Sequence, residues 1–209
     1  MAKLRITYNA PVVLTFALAA VVVFILTSTV KESMQWFVAY PEIVGTQAYV
    51  GLFSHILGHA SWEHLLGNFM LILLLGPILE ERHGSGPLLT MILLTALITS
   101  VANLVFSGDA LAGASGVVFM MILLASMANV RGGEIPLTFI AVATLYMGGE
   151  IIKAFRDDQV SQMAHLVGGI AGAAFGFIIA GTKRGRSPAK GSTSAELQKL
   201  LGGASSKTK

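Results

Sequence analysis

Six stretches of the chain lack Asp, Glu, Lys and Arg: Ile6 to Val30, His64 to Leu79, Gly84 to Gly108, Ala110 to Val130, Ile135 to Gly149 and Gln159 to Thr182. Apolar residues fill them without the strict alternation of a membrane β-barrel strand, so each reads as a helix. A hydrocarbon layer of about 30 Å takes roughly 20 helical residues. Four runs reach that length; His64 to Leu79 and Ile135 to Gly149 cross only if flanking residues snorkel or the bilayer thins. The pattern predicts an all-α polytopic membrane protein, a six-transmembrane-helix bundle over residues 1–182. The tail, residues 183–209, is basic and rich in Ser, Gly and Thr, and is expected to be disordered apart from a short helix at Ser194 to Leu201. The first run follows Met1-Ala2-Lys3-Leu4-Arg5, but its 25 uncharged residues exceed a signal-peptide core.

Composition agrees with a bilayer as solvent: 54% of residues are hydrophobic, 12% are charged, and the mean hydropathy is +0.73. The 23 glycines suit membrane helices, where they let backbones approach closely. With no cysteine, neither a disulfide framework nor a thiol nucleophile is available. The net charge of +3 does not indicate nucleic acid, because the basic residues cluster at span ends without interleaved aromatics. Instead they orient the chain. Lys3, Arg5, Arg82, Arg131 and the basic tail fall on one side; Lys31, Lys153 and Arg156 fall on the other. The positive-inside rule then places both termini in the cytoplasm. The longest connection, residues 31–63, lies outside, and its Trp36, Phe37, Tyr40, Tyr49, Phe53 and Trp62 suit the headgroup level.

Polar groups inside spans are costly, and three sites stand out. His55-X3-His59-X4-His64-X3-Asn68 enters the second span, with His64 and Asn68 about 40° apart round a helix. Gly113-Ala114-Ser115-Gly116 opens the fourth, and His165 lies in the first turns of the sixth. Even-numbered spans all enter from outside, so the three sites share one depth. Gly168, Gly172 and Gly176 recur on one face of the sixth span, and Gly113 and Gly116 offer small residues in the fourth. Close packing there would bring the Ser115 hydroxyl to His165, as a nucleophile and its general base require. His64, Asn68 and the Ser115 backbone N–H could then serve an oxyanion.

Together, Gly113-Ala114-Ser115-Gly116, His165-X2-Gly168-X3-Gly172 and His64-X3-Asn68 resemble the rhomboid family of intramembrane proteases over roughly residues 50–182. Glu80-Glu81-Arg82 is similar to the family's Glu-x-Arg element; read without the family, Glu80 and Arg82 are a loop ion pair. The resemblance implies Ser115 as nucleophile, His165 as base, and His64 and Asn68 as oxyanion donors. It also implies a six-helix core with a water-filled cavity open to the outside, and membrane-protein substrates entering near spans two and five. No cofactor or metal is implied. Two positions depart from the family pattern: Tyr49-Val50-Gly51-Leu52 replaces a Trp-Arg pair, and Phe119 stands where a Tyr often stacks on the catalytic His.

Other readings compete. A rhomboid-like protein that binds membrane helices for quality control or transport without cutting them would keep the fold, although inactive relatives usually lack the Ser or His. A metal or proton transporter could use His55, His59 and His64 with Glu63, but no inverted repeat is found. His59 otherwise braces its loop. Asp157 and Asp158 read as solvated loop residues, Glu150 as an interfacial carboxylate, and His83 as part of a cytoplasmic turn. The short chain points to a prokaryotic inner membrane, with transmembrane substrates and the lipid bilayer as partners; oligomeric state has no sequence signal.

Overall fold

The computed structural model describes residues 7–127, 134–153 and 162–185. The expected tail beyond residue 185, the loop with Arg131, and Arg156, Asp157 and Asp158 lie outside the described residues. Among the described residues seven helices follow in order: α1 Pro11–Thr29, α2 Gly45–Ser54, α3 Trp62–His83, α4 Ser85–Phe106, α5 Ser115–Ser126, α6 Leu137–Lys153 and α7 Gln162–Gly185. Short 3-10 segments at Lys31–Trp36 and His55–Leu57 flank α2, so the long connection after α1 is largely helical.

Among the described residues, four helices are long and apolar enough to cross a membrane: α1, α3, α4 and the Gln162–Ile179 part of α7. Two shorter apolar helices, Ser115–Ser126 and Leu137–Gly149, accompany them. Two lengths differ from the sequence expectation. The apolar run from His64 is short, but α3 takes in Trp62 and Glu63 at its start and Glu80 to His83 at its end, reaching 22 residues. Ser61 caps it, its hydroxyl accepting from the His64 N–H at 3.2 Å. The run from Ala110 goes the other way, because its first residues are not helical. Leu111 and Ala39 exchange two backbone hydrogen bonds of 2.8 Å in an antiparallel bridge, and Gly113 takes φ +128°, where a side chain would be strained. Only at Ser115 does α5 begin, and it is 12 residues long.

Helix α5 is apolar all round and accordingly lies at the centre, with Gly116 to Leu124 all buried. Its closest partner is α7, and the glycine face explains why. A methyl at Gly168 would stand 2.8 Å from the Gly116 carbonyl carbon and 2.9 Å from its Cα; a methyl at Gly172 would meet the Met120 backbone at 2.9 Å. The two backbones touch because neither residue has a Cβ. Gly113 plays a different part from Gly116: it precedes the helix and faces α3. On the far side, α1 packs on α3 through Phe16 and Phe69, with ring centroids 5.2 Å apart, and through Phe24 and Trp62 at 5.5 Å.

Glu80 holds the end of the bundle away from the long connection. It lies in α3 and not in a loop, and it is buried. Its carboxylate accepts from the Val12 and Val13 N–H groups, each at 3.0 Å, and from the Ser85 hydroxyl at 2.7 Å. Ala10 precedes Pro11 and gives α1 no side-chain cap. The first-turn amides of α1 are therefore satisfied from another helix, by an anion at the positive end of the dipole. One carboxylate thereby joins the start of α1, the end of α3 and the start of α4.

Candidate active site

The opposite end of the bundle carries the polar residues singled out in the sequence. Ser115 is the first residue of α5, His64 and His165 lie in the first turns of α3 and α7, and Asn68 follows one turn into α3. The α5–α7 contact brings together the helix starts that carry Ser115 and His165. Gly116, next to Ser115, is so close to α7 that a methyl on it would lie 3.2 Å from the carbonyl oxygen of Ala164, the neighbour of His165. One turn along α5, the Phe119 ring stacks on the His165 imidazole, with centroids 4.5 Å apart and planes 6° from parallel. Tyr146 of α6 meets the Phe119 ring edge-on at 6.0 Å. His165 is buried and Ser115 half-buried.

From the other side, α3 reaches the residues just before Ser115. A methyl at Gly113 would lie 2.7 Å from both Cε1 and Nε2 of His64, and 3.7 Å from Nδ2 of Asn68. Gly113 thus has two reasons to be glycine, its positive φ and the imidazole pressed against it. His64, Asn68, Ser115 and His165 meet around the start of α5. Because Ala114 has no side-chain acceptor, the first-turn amides of α5 are uncapped by it and carry the positive end of the helix dipole. Such a cluster offers a hydroxyl, imidazoles and several N–H donors around the start of one helix.

The connection between α2 and α3 underlies the cluster. The His55 carbonyl accepts from the Gly113 N–H at 2.9 Å, tying the connection to the segment that leads into Ser115. The buried His55 side chain approaches Ser100 of α4, with Nδ1 3.1 Å from the hydroxyl. This Ser–His contact is not a nucleophile and base. Nδ1 also faces the Gly51 carbonyl at 3.1 Å, which can only accept, so Nδ1 carries the proton. The Ser100 hydroxyl in turn donates to the Leu52 carbonyl at 2.8 Å. Burial pushes His55 down to about 4, so it stays neutral at ordinary pH. His59 is likewise buried and lowered to about 4, chiefly by desolvation. Among the described residues, no three His, Cys, Asp or Glu side chains form a group that could hold a metal ion.

The sequence reading missed a polar stripe on α4. Thr95, Thr99, Ser100 and Asn103 are buried there, and the four-residue recurrence of Thr95, Thr99 and Asn103, with Ser100 beside them, was a visible signal. Asn103 donates to the Asp109 carbonyl at 2.8 Å, while its buried Oδ1 has no hydrogen-bond partner among the described residues. Arg82 lies in the last turn of α3, as the Glu-x-Arg spacing places it.

These features define a helical membrane protein with a serine, two histidines and an asparagine gathered at one end of its bundle. Residues 46–182 match the Rhomboid domain family, and the chain belongs to that family. It is 35% identical over 140 residues to rhomboid-related protein 1 of Caenorhabditis elegans, an alignment covering 60% of this chain and 38% of that protein. The chain therefore spans well under half the length of this relative.

Proposed function

We propose that the protein is an intramembrane serine endopeptidase that cleaves peptide bonds in or beside transmembrane segments of other membrane proteins. The observation that carries this reading is the α5–α7 contact, in which Gly116 and Gly168 abut and Phe119 stacks flat on His165 one turn from Ser115. Stacking fixes the imidazole plane, which a general base needs if its lone pair is to meet the hydroxyl proton.

In the proposed mechanism His165 takes the Ser115 proton as Oγ attacks the scissile carbonyl. His64, Asn68 and the Ser115 N–H donate to the oxyanion of the tetrahedral intermediate. His165 then protonates the leaving amine, and water releases the acyl group from Ser115. A helical peptide bond is shielded, so the substrate must unwind locally, and helix-weakening residues at the cut favour cleavage. The dyad calls for no metal or nucleotide. In the same reading six helices cross the membrane, both termini are cytoplasmic, and the site opens to the extracytoplasmic side. The shortness of α5 supports a recessed site: 12 residues rise about 18 Å, less than the hydrocarbon thickness of about 30 Å.

The test is cleavage of a single-span reporter substrate in liposomes by wild type, Ser115→Ala and His165→Ala, with and without chelator. Cleavage by wild type, lost in both variants and insensitive to chelator, is expected. Equal cleavage by Ser115→Ala, or no cleavage by wild type across helix-destabilised substrates, would sink the protease reading in favour of helix binding without hydrolysis.

A further inference from the structure

His59 lies in the connection before α3 and is not one of the four residues of the proposed mechanism, yet its ring touches both members of the α3 pair. Its Nδ1 is 3.1 Å from the Leu57 carbonyl. A carbonyl can only accept, so in the neutral ring Nδ1 carries the hydrogen and Nε2 keeps its lone pair. Nε2 is 3.1 Å from Nδ2 of Asn68, and the amide nitrogen must therefore donate to it. Turning the amide over would set its oxygen against the Nε2 lone pair, two acceptors face to face in a buried place. The His59 ring also meets His64 edge-on, with centroids 5.0 Å apart, and is backed by Phe69 of α3 at 5.8 Å.

We propose that His59 is a positioning residue for the oxyanion site: by accepting one Asn68 amide hydrogen it fixes the amide nitrogen beside Gly113, and by its ring edge it holds the His64 imidazole there. The inference deepens the proposed function and rests on Ser115 being the nucleophile. The chain of hydrogen bonds runs from the Leu57 carbonyl through the imidazole to the amide, so the backbone after α2 sets the orientation of a side chain on α3. Without His59, the Asn68 amide can rotate, and the oxyanion meets a donor only part of the time.

The discriminating experiment compares His59→Leu, which removes the acceptor, with His59→Gln, whose Oε1 can reach the place of Nε2. Losing a complete oxyanion donor typically costs about 10²–10³ in kcat, so a donor left in place but loose should cost about 10–100-fold. His59→Leu is expected to lower kcat by that factor with KM within threefold of wild type, and His59→Gln to recover most of it. In Asn68→Ala the His59→Leu change should cost clearly less than it does in wild type, since only its hold on His64 is left to lose. Unchanged kcat in His59→Leu, losses that multiply in the double variant, or a fall in thermal stability with kcat intact would each overturn the proposal. Side-chain amide signals of Asn68 in nitrogen-15-labelled protein in micelles give a readout independent of turnover. They should move in His59→Leu and return toward their wild-type place in His59→Gln. If wild type cleaves nothing, the proposed function falls, while unmoved amide signals would overturn the hydrogen bond itself.

Discussion

Gly168→Ala puts the α5–α7 contact to the sharpest test. The added methyl would stand 2.8 Å from the Gly116 carbonyl carbon, 2.9 Å from its Cα and closer still to its oxygen. Carbon atoms pack comfortably at about 3.5–4.0 Å, so the helices must part by about 0.7–1.2 Å. What lies in the way is backbone on a buried helix, so no rotamer change relieves the clash. Overpacking of this kind typically costs about 1–3 kcal/mol. The functional loss should exceed the stability loss in proportion, because Ser115 sits beside Gly116 on one helix and His165 one turn before Gly168 on the other. A misplacement of about 1 Å between reacting groups can cost about 10²-fold in rate. The assay is kcat for a single-span substrate in liposomes at a temperature where the variant is folded, alongside thermal unfolding in detergent. Gly172→Ala clashes with the Met120 backbone, one turn further from the dyad, and should lose similar stability but less kcat. Gly67→Ala, with nothing within 4 Å of the new methyl, should match wild type in both. If Gly168→Ala kept wild-type kcat despite lower stability, close approach of these helices would not be what aligns Ser115 with His165.

Three further outcomes follow from the same coordinates. Glu80→Ala leaves the Val12 and Val13 amides and the Ser85 hydroxyl without their acceptor and should lower stability by about 2–3 kcal/mol, with Glu80→Gln milder, read by unfolding in detergent; an unchanged midpoint in Glu80→Ala would refute the capping role. Burial lowers His55 to about 4 from 6.5, so the unfolded chain binds protons that the folded one refuses. Stability should hold above about pH 6.5, fall toward pH 4 by up to about 3 kcal/mol from this group, and level off below, with His59 adding to the slope; a slope unchanged in His55→Gln would refute the assignment. Phe119→Leu removes the flat partner of His165, and because such stacking is worth about 0.5–1.5 kcal/mol, kcat should fall about threefold to tenfold while Phe119→Tyr matches wild type. Wild-type kcat in Phe119→Leu would show that the ring is filler.

What could be read in the sequence was whatever announces itself within one segment. An apolar run names a membrane helix, and glycines four apart name a face that a neighbouring backbone can approach, which is how Gly168 and Gly172 are used against α5. Polar residues in apolar surroundings mark His64, Asn68, Ser115 and His165, and the fold gathers them at the start of α5. Helix ends were harder. The apolar run from Ala110 does not show where α5 begins, because its Leu111–Ala39 bridge joins residues far apart in the chain, while Gly113 alone looks like any small residue. The partners of Glu80 are hidden for a related reason: two are main-chain amides 67 and 68 residues away, and a backbone N–H has no letter in the sequence. The same holds for His55 and His59, whose protonated nitrogens are set by the carbonyls of Gly51 and Leu57. A buried polar side chain in a sequence therefore says that a partner exists, because an unmade hydrogen bond costs about 1–3 kcal/mol. It does not say whether that partner is another side chain or anonymous backbone. Ser100 meets His55 in the structure, and Ser115 with His165 is the pair proposed as the dyad; motif spacing cannot say what each pair does. In the Ser100–His55 pair, carbonyl acceptors hold the hydroxyl hydrogen and one ring proton, turning a potential base into a strut.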